Sequence, residues 1–290
     1  MGDPAGIGPE IVRLALASPL LDQSATFEVL GDHEASRPGQ PTPEGAACAL
    51  ASLESAAAGA LEGRFQAIVT GPIHKALMRT AGFVFPGQTE FFAHRWGALE
   101  HAMCLTGGCL TVALVTAHVP YASVPALLTP EKIALTGRLL SSFLRLRLGR
   151  RPRIAVAGLN PHAGESGLLG TEEQDSIASG VDLLRGSCDS DVSGPWPPDT
   201  LFYRAVSGDF DGVVCMYHDQ GLIPLKLHAF HEGVNVTLGL PYPRTSPDHG
   251  TAFALAAKGG ANPTSMLAAL NLAAELARKR SPFPCNDGPL

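Results

Sequence analysis

Apolar and polar positions follow two recurring patterns along the chain. Short β-branched runs predict strands at 27–30, 67–70, 111–116, 153–157, 212–216 and 234–238. Ala- and Leu-rich stretches between them predict helices at 9–17, 44–60, 130–146, 171–184, 250–257 and 263–279. The last of these sets Met266, Leu267, Leu270, Leu272 and Leu276 near a 3.6-residue period and ends in basic residues, as suits a helix C-terminus. Strands alternating with helices point to an α/β layered fold on a largely parallel sheet. Pro- and Gly-rich segments at 31–43 and 186–199 read as loops, and the tail from Ser281 reads as irregular.

Composition narrows the class. The 290 residues are 45% apolar and 17% charged, enough to bury sizeable cores in one large domain or two that share the chain. Lys plus Arg total 21 against 27 Asp plus Glu, a net charge of −6, which gives no general attraction to nucleic acid or to an anionic membrane. Arg145, Arg147, Arg150, Arg151 and Arg153 form a basic cluster, but they follow an apolar helix, precede a buried strand, and have no interleaved aromatics. No apolar run reaches the roughly 18 residues of a membrane helix. The start lacks the basic and apolar regions of a secretion signal. The 6 cysteines form no CxxC pair, so they read as reduced thiols of a cytoplasmic protein.

The chemistry lies in the turns. Gly2-Asp3-Pro4-Ala5-Gly6-Ile7-Gly8-Pro9-Glu10 opens onto a helix, with Gly8 as the expected N-cap and free N–H groups that suit a phosphate or carboxylate. A tight turn entering a helix explains the same residues. Such a turn normally follows a strand, and none precedes Gly2 in this sequence. His118, His162 and His218 each follow a predicted strand, and His249 sits in Ser-Pro-Asp-His-Gly. Loops converge at the carboxyl ends of parallel strands, so three such imidazoles could bind one divalent metal with positions left open for substrate. Any one of them alone is better read as a structural loop histidine. Lys75, Lys226, Asn235 and Arg244 add cationic and polar groups to the same segments, which points to an anionic, oxygen-bearing substrate. Taken alone, this pattern suits a metal-dependent dehydrogenase, a metallohydrolase or a lyase.

Ordered blocks then sharpen the reading: GDPAGIGPE (2–10), TGPIHK (70–75), PGQTEFFA (86–93), AHVP (117–120), GLNPHAGE (158–165), PPDTLF (197–202), YHDQGLIPLK (217–226), GVNVTLGLP (233–241) and RTSPDHGTA (244–252). Together they resemble the 4-hydroxythreonine-4-phosphate dehydrogenase (PdxA) family of vitamin B6 biosynthesis across nearly the whole chain. The resemblance implies an isocitrate/isopropylmalate-dehydrogenase-like fold of two α/β/α domains with a cleft between them. On that reading, 1–96 with 240–290 form the first domain, and 97–239 form the second, which carries the metal ligands and the dimer interface. The family works as a homodimer with its site at the interface. It oxidises the C3 hydroxyl of 4-phosphooxy-L-threonine with NAD or NADP, and decarboxylation then gives 3-amino-2-oxopropyl phosphate.

Carried over by position, the resemblance makes His118, His162 and His218 ligands of a divalent metal (Zn, Mg or Co) shared across the interface. Gln88, Thr89, Lys226, Asn235 and Arg244 become substrate-binding residues, and Lys226 and His218 the catalytic ones. His249 falls outside the ligand set. Cofactor residues stay unassigned beyond Lys75 and the loop after Arg244, since no GxGxxG follows a strand. Gln88 stands where the family usually has His, and Gln cannot carry a proton or a positive charge. The 31–44 segment is shorter than usual. With the strand before Gly2 also lacking, both of these departures are expected to bear on stability or cofactor binding more than on metal binding. Gln88 keeps a 4-phospho-D-threonate or 4-phospho-D-erythronate dehydrogenase in view, and the short N-terminal half keeps a non-catalytic metal-binding remnant in view.

Overall fold

The structure is a computed structural model, and it describes residues 1–32, 34 and 36–280. Its strands are β1 (Ile68–Val69), β2 (Ala102–Gly107), β3 (Leu110–Leu114), β4 (Arg153–Ala157), β5 (Asp191–Trp196), β6 (Gly212–Cys215), β7 (Val234–Leu238) and β8 (Arg244–Pro247). Its helices are α1 (Gly8–Leu16), α2 (Pro43–Leu61), α3 (Lys75–Thr80), α4 (Gln88–Arg95), α5 (Val124–Leu127), α6 (Pro130–Leu148), α7 (Ala178–Ser187), α8 (Pro198–Val206), α9 (His218–Ala229), α10 (Phe253–Ala256) and α11 (Thr264–Lys279).

All the strands join one 8-stranded sheet in the order β1-β8-β7-β2-β3-β6-β4-β5. The sheet is mixed, which corrects the expectation of a largely parallel one. Its two ends are parallel (β1 with β8; β3, β6, β4 and β5 in turn), but β2 runs antiparallel to both β3 and β7, and β7 antiparallel to β8. The cause is local. Gly108 has φ +55° in the short turn from β2 to β3, and such a link can only reverse the chain.

Other expectations shift for physical reasons. The 27–30 run pairs with no strand; it borders a cavity of about 550 Å³ whose lining also includes β1 and Leu270 and Ala273 of α11. A β-branched run without a neighbour to pair with stays extended but outside the sheet. The 186–199 segment, expected as a loop, contains β5, in register with β4 from Arg153 opposite Asp191. The helix expected over 250–257 contracts to α10, and the tail from Ser281 lies outside the described residues. Gly8 does not cap α1; it is already helical, with Ile7 in the cap position. Helix α9 escapes a pattern reading because Gly221 and Pro224 sit inside it. Gly221 has a packing reason: a Cβ there would come within 3.1 Å of Cys215 Sγ and Leu114 Cδ2, so glycine lets α9 lie close on β3 and β6.

Four apolar clusters fill the layers. One joins α6 and α7 to the β4–β6 face and α11, and another joins α8 and α9 to the opposite face. The remaining two sit around α2 with α4 and around α1 with α11. Among the described residues, no helix is long and apolar enough to cross a membrane.

The basic cluster is consumed by ion pairs. Arg145 and Arg151 face Asp189, Arg147 faces Glu275, and Arg150 and Arg153 both clasp Asp211, which also accepts the Arg153 backbone N–H at 2.7 Å. Burial opposes ionisation of Asp211, but hydrogen bonds from Arg150 and Arg153 outweigh it and hold its carboxyl well below the usual range. A depressed folded pKa contributes stability above the unfolded value near 4, and that stability fades as pH falls through the folded pKa. Asp211→Asn is therefore expected to cost about 1 kcal/mol at pH 7 and to flatten the loss of stability below about pH 4. Urea unfolding of both proteins at pH 7 and pH 3 measures this; an equal cost at both pH values contradicts it.

Candidate active site

Parallel neighbours deliver two of the histidines. Strands β3 and β6 lie side by side, and their ladder continues past their ends, with Val115 and Thr116 N–H donating to Cys215 and Met216 C=O at 2.9 and 3.2 Å. His118 follows on one chain segment and His218 opens α9 on the other, so their ring centroids stand 5.5 Å apart. His218 Nδ1 is 2.7 Å from Asp219 Oδ1, which fixes the ring and leaves Nε2 for another partner. Burial, then the charges of Lys75 and His218, lower the pKa of His118 against an opposing pull from Glu90. The neutral imidazole, the metal-binding form, is thus favoured.

Strand β4, parallel to β6, leads to the third histidine. His162 lies in a left-handed turn with its side chain exposed, Nδ1 3.5 Å from Glu165. It does not join the other two: among the described residues, no three His, Cys, Asp or Glu side chains are placed to share a metal. What the described residues bring together is a pair of imidazoles, His118 and His218. With one ring fixed by a carboxylate and the other biased neutral, the pair fits a divalent ion that takes further ligands from elsewhere.

A buried cation stands on β8. Arg244 on β8 is 4% exposed; Nη2 donates to Thr70 Oγ1 at 2.6 Å and to Gln88 Oε1 at 3.1 Å, and Nη1 donates to Thr237 Oγ1 at 3.3 Å. Its buried Nε has no partner, and no carboxylate forms an ion pair with it among the described residues. Burial pushes its pKa down to about 10, against a raising influence from Glu90. Gln88 and Thr89 open α4: Gln88 Nε2 donates to Gly71 C=O at 3.1 Å, and Thr89 Oγ1 meets Thr237 Oγ1 at 3.1 Å. Lys75 is exposed at the start of α3, close enough for its charge to act on His118. His74 is accounted for locally, as the cap of α3 accepting the Leu77 N–H.

A third group gathers around β7 and α9. Lys226 Nζ lies 3.1 Å from Asp248 Oδ2. Asn235 Oδ1 and His249 Nε2 are buried without partners, and Asn235 sits opposite Ser246 in the β7–β8 ladder. Orphaned buried polar atoms cost free energy unless a ligand meets them.

Sequence reasoning missed the residues that hold these segments. Gln220 accepts the Met216 N–H at 2.7 Å and donates to Gly158 C=O at 2.6 Å, tying the His218 turn to the His162 loop. Glu173 and Asp219 likewise work through neighbours. The one available signal was a polar residue inside an apolar stretch, as at Gln220.

The sequence matches the family described as "Pyridoxal phosphate biosynthetic protein PdxA" over residues 13–273. It is 42% identical to the 4-hydroxythreonine-4-phosphate dehydrogenase of Desulfosudis oleivorans over 319 aligned positions, covering 96% of this chain and 94% of that one. That alignment is longer than the chain, so the relative carries segments this protein lacks. The crystal structure of the Klebsiella pneumoniae 4-hydroxythreonine-4-phosphate dehydrogenase superposes with a TM-score of 0.81 at 38% identity, over 96% of this chain and 98% of that one. A terephthalate 1,2-cis-dihydrodiol dehydrogenase from Burkholderia xenovorans follows at 0.67 and 28%, over 94% and 96%. Isocitrate dehydrogenase from Methylococcus capsulatus, at 0.54 and 16% over 96% of this chain and 86% of that one, shares the fold. With its fold, its ordered blocks and these relatives in agreement, the chain belongs to the PdxA family.

Proposed function

We propose that this protein is an NAD- or NADP-dependent dehydrogenase that oxidises 4-phosphooxy-L-threonine at C3 and releases CO2, in the cytoplasm. The observation that carries this reading is Arg244: a buried guanidinium with an unpartnered Nε and, among the described residues, no ion pair wants an anion, and Glu90 is within reach of both it and His118. A substrate phosphate supplies that charge, with Thr70, Gln88, Thr89 and Thr237 around it. Asn235 Oδ1 offers an acceptor to a substrate N–H or O–H. Lys226, steadied by Asp248, handles the proton at Nζ and helps to bind the substrate, and His218 holds the metal side of the site. A divalent ion (Zn, Mg or Co) held by His118 and His218 supplies Lewis acidity toward the reacting hydroxyl and carbonyl. NAD(P) supplies the hydride acceptor, with Lys75 as a candidate contact.

The half-site calls for a second copy. Helix α9 begins with His218 and leaves Ile223, Leu227 and Phe230 exposed at 66%, 89% and 69%, spaced along one helix face. A homodimer through α9 covers that stripe and brings the partner's His162 toward this chain's pair. The domain boundaries expected from the sequence, 1–96 with 240–290 and 97–239, remain part of this proposal.

Gln88 favours a second substrate reading. Its carbonyl takes one Arg244 N–H and its amide is spent on Gly71, so it brings no charge to the anion. A 4-phospho-D-threonate or 4-phospho-D-erythronate dehydrogenase is that second reading, with Gln88 as the residue that sets it apart.

Steady-state NAD(P) reduction with the three phosphorylated substrates is expected to favour 4-phosphooxy-L-threonine; turnover of an erythronate or threonate phosphate alone selects the second reading. Metal binding with no turnover of any of the three marks a non-catalytic remnant. Arg244→Met is expected to raise KM for the phosphorylated substrate at least tenfold while the thermal midpoint holds or rises, because a buried unpaired charge is removed. An unchanged KM would falsify the phosphate assignment. Leu227→Asp is expected to give a folded monomer by light scattering and circular dichroism, with metal affinity and activity both lost. A fully active monomer removes the shared-site reading.

A further inference from the structure

The turn that carries His162 winds the wrong way for L-residues. His162, Ala163, Gly164, Glu165 and Ser166 have φ of 53°, 51°, 77°, 42° and 59° in succession. A left-handed conformation is unfavourable for each residue with a Cβ, so a run of this kind needs support from the surrounding structure. Around its ends, Ala163 N–H donates to Asn160 C=O at 3.1 Å, Leu168 N–H to Glu165 C=O at 3.3 Å, and Leu169 N–H to Gly164 C=O at 3.1 Å.

The external restraint is Glu173. Its side chain is buried, 4% exposed, at the start of a single π-helical turn that leads into α7. Oε1 accepts the backbone N–H groups of Leu159 and Asn160 at 2.7 and 2.8 Å, and Oε2 accepts Asn160 Nδ2 at 3.0 Å. The second amide hydrogen of Asn160 reaches Glu172 at 2.7 Å. The left-handed turn then folds back onto the same carboxylate: a Cβ on Gly164 would stand 2.6 Å from Glu173 Oε2 and 2.9 Å from Gly170 C=O. No cation forms an ion pair with Glu173 among the described residues, so those N–H groups are what compensate its burial.

We propose that Glu173 is a positioning residue of the active site, and that its carboxylate imposes the left-handed turn that projects His162 outward. The inference rests on the reading of His162 as a metal ligand, and it adds that the ligand's placement is set from below by a residue that touches neither metal nor substrate. Gln220, joined to Gly158 at the root of the same loop, aligns that loop with the His218 turn.

Two measurements on the intact protein test it. Hydrogen exchange of the metal-free protein reads the loop directly, and Co2+ titration followed by its visible absorption reads the ligand set. Glu173→Ala is expected to raise amide exchange across 159–169 at least tenfold, with α6 and β4 unchanged, and to weaken Co2+ binding at least tenfold with an altered absorption band. Glu173→Gln keeps one oxygen for the two backbone N–H groups but sets an amide against Asn160, so it is expected to fall between wild type and Ala in both readouts. It also guards against a misfolded Ala variant. Unchanged exchange in both variants overturns the proposal, as does a loosened loop with unchanged Co2+ affinity and spectrum. A wild type that takes up no Co2+ sinks the metal reading instead, and the exchange comparison alone then decides whether Glu173 holds the loop.

Discussion

A guanidinium buried with no counter-ion among the described residues is the constraint around which the site is arranged. Taking a charge out of water costs several kcal/mol, and hydroxyls and an amide recover only part of it. Arg244 is nonetheless held between β1, β7 and the start of α4 by Thr70, Thr237 and Gln88. These neighbours orient the charge without neutralising it. A charge kept in this way is stored attraction for an anion. The β1–β8 ladder pairs Arg244 with Ile68, and the β7–β8 ladder begins at the next residue, Thr245 opposite Val236.

The same logic of adjacency places the histidines. His118 and His218 meet because β3 and β6 are parallel neighbours and because Gly221 lets α9 settle onto them. Neither fact concerns histidine chemistry. The sheet order determines which loops converge, and the loops then carry whatever side chains the reaction needs. Strand β4 is the next neighbour, so its loop starts close to the pair, yet His162 in the left-handed turn is exposed and, among the described residues, shares no three-ligand cluster with it.

How far the sequence shows this depends on the range of the interactions. Strands β4 and β7 and helices α2, α6 and α11 are legible because their patterns are local and strong. Strands β2, β5 and β8 are not: they contain Gly, Pro, Ser or Thr, and they are strands only because neighbours pair with them. The 27–30 run shows the converse, good strand residues with nothing beside them to pair with. At the site, strand-end histidines and isolated cations stand out as residue types. Glu173 and Gln220 do not, because their importance lies in backbone groups far along the chain, which no spacing rule encodes.

The half-site and the exposed face of α9 become one problem once the helix is followed along its length. Its first residue is a candidate ligand and its outer face is a bare apolar stripe, so whatever covers the stripe also comes near the ligand. A small molecule does not suit a convex row of Ile223, Leu227 and Phe230, whereas a second copy of the same helix does, since a two-fold axis sets like against like. In the proposed dimer the turn that carries His162 acquires a use, because this histidine is exposed and, among the described residues, joins no cluster of three ligands within its own chain. Strain in that turn is tolerable because Glu173 holds it in each copy before any encounter. Association in the proposed dimer then joins two preformed halves and does not have to order a loop, which keeps the entropic cost of building a shared site low.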